Sequence, residues 1–224
     1  RALGCYVAAR LDIAKKHPDA ETRAAAAARV DLLVPIVKAW STDCGVEIAS
    51  LGVQIHGGAG FIEETGAAQH YRDARILPIY EGTNGIQAID LVGRKISKDG
   101  GTVARELFNL IEADIAHARE SGDTALAEAV AAGLEHLTAA TDWVVATMAE
   151  NPDHVLAQAT TFHKLFGTVT GAWQMLRQAS GAKARLDSGE GDATWLEAKR
   201  ASADFYMRQE LPLAAAMAAI VVGG

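Results

Sequence analysis

The sequence predicts an all-α protein made of helical bundles. Ala, Leu, Glu, Arg and Gln dominate the 224 residues, and all of them favour helices. Strand signals, which are runs of β-branched and aromatic residues with a period of two, are almost absent. Several long segments instead space their apolar residues three and four apart, which places those residues on one face of a helix. The length allows one large or two small domains.

Four helices are predicted in the first half of the chain, at about residues 1–16, 20–55, 66–76 and 84–96. Asp19 can cap the second helix, which would be about 50 Å long at about 1.5 Å per residue. Pro35 lies inside that helix and is expected to kink it, because proline removes one backbone hydrogen bond. Residues 57–65 are predicted to form a loop, and Thr83 or Asn84 can cap the fourth helix.

The segment Lys98–Gly101 is predicted to be a linker, which gives two domains at 1–97 and 98–224. Four further helices are predicted, at about residues 103–119, 124–150, from 152 to a break at 189–192, and from 194 onward. The third of them starts with Asn151 and Pro152, a favourable cap followed by a proline in the first turn.

That third helix spaces seven apolar residues alternately four and three apart, which predicts a seam for bundle packing. The seam residues are Val155, Ala159, Phe162, Phe166, Val169, Trp173 and Leu176. Thr194 and Glu197 are predicted to form a capping-box pair at the start of the last helix. The apolar run 211–222 is too short to span a bilayer and contains Pro212, so it is predicted to be a buried helix end.

Charge and cysteine content limit the partners and the compartment. The net charge of −7 argues against nucleic acid and against anionic lipid, so neither a nucleic-acid partner nor a membrane is predicted. Cys5 and Cys44 cannot build a disulfide framework, which favours a reducing, cytoplasmic location. None of the seven histidines has a metal-binding spacing, so no metal is predicted. The chain begins at Arg1 within a helical pattern, so it is interpreted as a fragment whose N-terminal targeting information could be missing.

Three motifs carry the functional signal. The first, at residues 54–61, reads Gln-Ile-His-Gly-Gly-Ala-Gly-Phe, and the second, at 71–75, reads Tyr-Arg-Asp-Ala-Arg. The third, at 80–87, reads Tyr-Glu-Gly-Thr-Asn-Gly-Ile-Gln. In this order they resemble the C-terminal part of flavin-dependent acyl-CoA dehydrogenases, over roughly residues 1–97. Residues 98–224 resemble, by position and helix pattern, the extra C-terminal helical domain of a subset of these enzymes.

This resemblance implies an active site and a cofactor. Glu81 would be the catalytic base, and Gly82 would let the backbone approach the acyl-CoA substrate closely. The residues implied to contact FAD are Gln54, His56, Gly57, Gly58, Thr83, Asn84 and Gln87. The first four match a family segment that reaches the FAD of a neighbouring subunit, and the last three match positions near the flavin. Without this context, Glu81 would be interpreted as a surface residue in a turn, and Gly57-Gly58 as an ordinary helix stop.

The implied reaction explains the choice of a glutamate. Acyl-CoA dehydrogenation removes the α-proton of a thioester and passes the β-hydrogen to FAD as a hydride. Because the α-carbon is a weak acid, the base must lie close to it in a dry pocket, where burial makes a carboxylate a stronger base. Asp90 is the rival carboxylate, but its place about two turns into the next helix predicts a solvated or ion-paired side chain.

Other matched positions give less information about function. Arg72 and Asp73 match an Arg-Asp pair of the family and are assigned a structural role in ion pairing between helices. Gly85 stands where many relatives carry a glutamine, so any polar contact made there is not transferred. Gly93 stands where some relatives carry an arginine near the substrate, and that role is not transferred either.

The resemblance also implies partners and leaves alternatives open. The expected acceptor of electrons is an electron-transferring flavoprotein, and the expected assembly is a homodimer or a dimer of dimers. An acyl-CoA oxidase of the same fold, which passes electrons to oxygen, is one alternative. A non-catalytic helical scaffold or assembly subunit is another. The DNA-associated branch of the same superfamily is disfavoured by the net charge of −7.

Overall fold

A computed structural model describes residues 1–224 and contains helices and turns but no strand, which confirms the all-α prediction. The α-helices are α1 (Ala2–Lys16), α2 (Ala20–Ile55), α3 (Gly58–Phe61), α4 (Ala67–Arg75), α5 (Asn84–Asp90), α6 (Thr102–Glu120), α7 (Thr124–Glu150), α8 (Pro152–Asp187), α9 (Ala193–Gln209) and α10 (Leu213–Gly223). Three short segments have other helical forms: 3₁₀ turns at Glu63–Thr65 and Ser97–Asp99, and a π-helix at Leu91–Ile96.

Three helices start where the capping residues predict. The Asp19 carboxylate accepts the Thr22 N–H at 2.7 Å and begins α2. The Thr83 hydroxyl oxygen accepts the Ile86 N–H at 3.4 Å and begins α5. Asn151 accepts a backbone N–H at the start of α8, whose first residue is Pro152. These side chains replace hydrogen bonds that the first turn of a helix cannot make internally.

Three local predictions are wrong. The Thr194–Glu197 capping box is absent, because the Asp192 carboxylate already accepts the Thr194 N–H at 2.9 Å and starts α9 one residue earlier. The apolar run 211–222 is not the end of that helix but belongs to a separate helix, α10, after a turn at which Pro212 has no N–H to continue the first helix. The predicted loop 57–65 contains α3 and a 3₁₀ turn.

The core is one continuous apolar cluster that includes residues from both halves of the chain. Helix α8 lies at its centre and packs against α1, α2, α5, α6, α7, α9 and α10. All seven predicted seam residues of α8 are buried, which confirms the seam. The linker Lys98–Gly101 therefore joins two halves that share a core, and the domain division at residue 98 stays a prediction.

One segment, Ala193–Gly223, has the length and apolar composition of a membrane span. The turn at residues 210–212 divides this segment into α9 and α10. One face of α10 buries Ala214, Ala218 and Val221, and the helix packs against α7 and α8. The predicted absence of a membrane partner stays a prediction.

Helices α2 and α8 interlock closely. The Trp40 ring lies over Gly167 and Gly171 of α8 and approaches the helix backbone closely, because glycine has no side chain. The buried His163 ring lies with Nε2 3.0 Å from the Pro35 carbonyl oxygen of α2. Burial lowers the pKa of His163 below its usual value, so the neutral ring donates its Nε2 hydrogen to that carbonyl. These contacts fix α2, which in turn supports the functional site.

Candidate active site

The turn between α4 and α5 holds Glu81 in an unusual backbone conformation. Glu81 has φ +52° and is the one non-glycine residue of the chain with a positive φ. Its neighbour Gly82 has φ +82°, which glycine adopts without a steric penalty. For a residue with a Cβ the left-handed region costs about 1–2 kcal/mol. Strained residues of this kind concentrate at active sites and ligand-binding turns.

Hydrogen bonds to α2 hold this turn. The Lys38 ammonium donates to the Gly82 carbonyl at 2.6 Å. The Asn84 amide donates to the Ala39 carbonyl at 3.0 Å and to the Asp43 carboxylate at 2.7 Å. All of these partners lie more than 40 positions away in sequence. The conformation at Glu81 is therefore imposed by tertiary contacts as well as by the turn itself.

A groove of about 510 Å³ lies beside the turn, between α2, α5 and α8. Its lining includes Asp43, Glu47, Arg75, Thr83, His163 and Lys164. The groove has charged walls of both signs, and the side chains of Glu81 and Tyr80 beside it are exposed. The carboxylate of Glu81 is therefore accessible to solvent in this structure.

The structure brings only part of the predicted site to Glu81. Gly82, Thr83 and Asn84 follow it directly, and the Gln87 amide lies over Gly82, because a Cβ at Gly82 would be 3.2 Å from Gln87 Nε2. The other four residues, Gln54, His56, Gly57 and Gly58, lie at the far end of α2. Lys38 of α2 binds the Glu81 turn, and Gln54 lies sixteen positions further along the same helix. At about 1.5 Å per residue, the two groups are about 24 Å apart along α2. The site residues therefore form two groups.

The second group lies on an exposed end of the molecule. Gln54, His56, Gly57 and Gly58 are all exposed, and the His56 ring is held by a contact of 2.8 Å from Nδ1 to the Gly52 carbonyl. Gly57 adopts φ +59°, which ends α2 and turns the chain into α3. Four large apolar residues near this group in the sequence are also exposed, namely Ile48, Leu51, Ile55 and Phe61, and the last two are more than four-fifths exposed. An exposed apolar patch is typical of surfaces that bind another protein, a membrane or a ligand.

Two predicted site residues also have structural contacts. The side-chain oxygen and nitrogen of Asn84 both bind α2, which sequence reasoning did not foresee, and its contact with the cofactor stays a prediction. Thr83 caps α5 and also lines the groove. Lys38 and Asp43 were missed. Their signal in the sequence is a pair of charged residues five apart within a mostly apolar stretch of α2.

The charged residues outside the turn form ion pairs. Asp90 pairs with Arg94 at 3.1 Å, which confirms the prediction that this rival carboxylate is ion-paired. Arg72 pairs with Glu63 at 3.4 Å in a neighbouring helical turn, as a structural role predicts, whereas Asp73 forms no ion pair. The described chain has no cluster of three or more His, Cys, Asp or Glu side chains placed to hold a metal ion.

Two family models together match nearly the whole chain. The model described as acyl-CoA dehydrogenase, C-terminal domain, matches residues 6–96, and the model described as acetyl-CoA dehydrogenase C-terminal like matches residues 107–224. The chain therefore belongs to the acyl-CoA dehydrogenase family, in agreement with the three motifs and the helical fold.

Individual relatives extend this comparison. The chain is 47% identical over 220 residues to the 3-methylmercaptopropionyl-CoA dehydrogenase of Ruegeria pomeroyi, a match that covers 94% of this chain and 36% of that protein. It is 30% identical to the broad-specificity linear acyl-CoA dehydrogenase FadE5 of Mycobacterium tuberculosis, over 95% of this chain and 36% of that protein. A shorter match, 38% identical, covers 28% of this chain and 17% of the caffeyl-CoA reductase-Etf complex subunit CarC of Acetobacterium woodii. The chain thus spans about a third of the first two relatives.

Proposed function

We propose that this chain is the C-terminal part of an FAD-dependent acyl-CoA dehydrogenase in which Glu81 removes the α-proton of an acyl-CoA thioester. The observation that supports this most strongly is the position of Glu81. It is the one non-glycine residue in a left-handed conformation, it lies at the family's Tyr-Glu-Gly-Thr turn, and it faces solvent where a substrate could approach. Strain at that residue fits a functional role, because a structural turn would place glycine there.

The proposed chemistry assigns a proton to a named atom. The α C–H bond of the thioester breaks, its proton passes to a carboxylate oxygen of Glu81, and the electron pair begins the new double bond to the β-carbon. The bound FAD would accept the β-hydrogen as a hydride. Gly82 has no side chain that would block the thioester, and the backbone N–H of Glu81 is proposed to stabilise the negative charge that develops on the thioester oxygen.

The residues at the end of α2 fit a flavin dinucleotide of a neighbouring subunit. Gly58 has open space where a Cβ would be, so a ligand can approach its backbone, and Gln54 offers an exposed amide. The separation of about 24 Å along α2 keeps these residues away from Glu81 of the same chain. Together with the exposed apolar patch, this supports a homodimer or a dimer of dimers with shared sites.

The activity is tested by anaerobic titration of the flavin. The protein from the complete gene should bind FAD, and its absorption near 450 nm should bleach when a suitable acyl-CoA is added. The panel would hold butyryl-CoA, longer linear acyl-CoAs and 3-methylmercaptopropionyl-CoA, because the relatives carry such names. Slow reoxidation in air and fast reoxidation by an electron-transferring flavoprotein are expected, since one relative belongs to an Etf complex.

Three other outcomes of this titration would each change the proposal. Bound flavin that no thioester bleaches would exclude acyl-CoA dehydrogenation. Fast reoxidation by oxygen would favour the oxidase. A protein that binds no flavin, even when FAD is added, would favour the helical scaffold.

Shared sites predict that two inactive variants restore each other. A Glu81→Gln subunit lacks the base, and a Gly58→Arg subunit places a long side chain in the proposed path of the neighbour's FAD. Gly58 has no neighbouring atom within 4 Å of a Cβ and no positive φ, so the arginine should not disturb the fold. Each homodimer should be inactive, whereas co-expressed subunits should form a heterodimer with one complete site. If both groups served the same subunit's FAD, mixing would restore nothing.

A further inference from the structure

We propose that Lys38 is a positioning residue for the candidate base: its ammonium holds the Gly82 carbonyl and thereby keeps Glu81 in its left-handed conformation. This inference rests on the proposed function, in which Glu81 accepts the α-proton. It adds a residue of α2 that lies outside all three motifs and that the resemblance does not assign.

The contacts of Lys38 are directed at the turn. Its Nζ atom lies 2.6 Å from the Gly82 carbonyl oxygen and 3.2 Å from Asn84 Oδ1, so two of its three N–H donors bind the same short segment. Lys38 is half-buried. A hydrogen bond from a charged donor is shorter and stronger than one between neutral groups, and the distance to Gly82 fits that class.

The charge of Lys38 is not used in an ion pair. None of the ion pairs in the structure includes it, although Asp43 lies five residues further along the same helix. Asp43 instead accepts a hydrogen bond from the Asn84 amide at 2.7 Å. The half-buried Lys38 ammonium therefore binds the turn itself, through the Gly82 carbonyl, rather than a carboxylate.

The turn needs such a contact because its conformation is unfavourable by itself. Glu81 carries a Cβ at φ +52°, and the peptide that follows it leads into Gly82 at φ +82°. One bond closes the turn, from the Asn84 N–H to the Pro78 carbonyl at 3.0 Å. Lys38 fixes the carbonyl of Gly82 between those points. Without it, the Glu81 backbone can relax to negative φ, which would turn its carboxylate to a different direction.

The helix that presents Lys38 is itself held by the second half of the chain. Two residues along α2, the Trp40 ring lies over Gly167 and Gly171 of α8. One turn earlier, the Pro35 carbonyl accepts the hydrogen bond from His163. Lys38 therefore lies in a segment of α2 that is held in place by α8, so its ammonium can hold the turn in a defined position.

The test compares three lysine variants of the complete flavoprotein. Lys38→Met should slow anaerobic flavin reduction at saturating acyl-CoA by about 10- to 100-fold, because a base displaced by about 1 Å loses that much. The half-saturating acyl-CoA concentration should change by less than about threefold, since substrate binding is not the affected step. Lys38→Arg, which keeps the charge and N–H donors, should recover most of the rate. Lys95→Met removes another ammonium that binds α2, at Asp31, and should leave the rate unchanged.

Hydrogen exchange supplies a readout that does not depend on turnover. Without acyl-CoA, the amides of residues 80–84 should exchange at least about tenfold faster in Lys38→Met than in the wild type, while those of α8 stay unchanged. A wild-type reduction rate in Lys38→Met, or a rate that falls only in step with flavin content and melting temperature, would overturn the inference. If the wild type itself fails to bleach, the proposed function fails, and the exchange result still decides whether Lys38 holds the turn.

Discussion

Replacing Glu81 with glutamine is expected to slow flavin reduction by acyl-CoA by about 10²- to 10⁴-fold, the usual contribution of a general base. Glutamine has nearly the same size and the same cost at φ +52°, so the turn and its bonds to α2 should persist. What the variant loses is the ability to accept a proton. The measurement is the rate constant of anaerobic flavin bleaching in the protein from the complete gene, with bound FAD quantified in the same sample.

The matched control for this substitution is Asp90→Asn. Asp90 is the nearest rival carboxylate along the chain, and its ion pair with Arg94 fits a structural role. Its substitution should change the bleaching rate by no more than about threefold, since Asp90 is paired with Arg94 and lies near Lys95 rather than in the Glu81 turn. The assignment of the base would be wrong if Asp90→Asn were the slow variant and Glu81→Gln were not.

The largest expected loss of stability comes from Gly167→Ala. A Cβ at Gly167 would lie 2.6 Å from Trp40 Cδ1 and 2.8 Å from Trp40 Cβ, which is well inside van der Waals contact. The ring cannot slide along α8, because its far edge already lies against Gly171. Overpacking of this kind lowers the free energy of unfolding by about 1–3 kcal/mol. For a protein of this size that corresponds to a fall of several degrees in the thermal midpoint, measured by circular dichroism.

A control on the same helix separates packing from helix propensity. Gly181 is exposed, and a Cβ there meets no atom within 4 Å, so Gly181→Ala should raise the free energy of unfolding by about 0.5–1 kcal/mol. Combining Gly167→Ala with Trp40→Leu should recover part of the lost stability relative to Gly167→Ala alone, because the smaller side chain makes room. Equal midpoints for Gly167→Ala and Gly181→Ala would mean that α2 and α8 do not interlock.

The fold followed from local signals in the sequence, and the errors arose where those signals compete. Caps at Asp19, Thr83 and Asn151 and the seam of α8 were predicted because each depends on residues within one or two turns. The start of α9 was predicted wrongly because Asp192 and Thr194 are both good caps. In the structure, the Asp192 carboxylate accepts the N–H groups of Thr194 and Trp195.

The site was predicted only as far as its motifs extend. The turn at Glu81 was expected, but its left-handed conformation was not, nor was the hydrogen bond to the Gly82 carbonyl from Lys38, which lies 44 positions before Gly82. The close packing of Trp40 on α8 depends on Gly167 and Gly171, which lie more than 120 positions away in the sequence. Contacts between residues so far apart in the sequence depend on how the helices pack, and the apolar periodicity of one segment does not predict them.

Proton exchange tests whether Glu81 is the base without requiring any hydride transfer. The complete flavoprotein would be incubated in D₂O with 3,3-dimethylbutanoyl-CoA, a thioester with α-hydrogens but none on its β-carbon. Mass spectrometry then follows deuterium at the α-carbon. We expect steady incorporation with the wild type and only the buffer rate with Glu81→Gln. Incorporation at the wild-type rate with Glu81→Gln would mean that Glu81 is not the base.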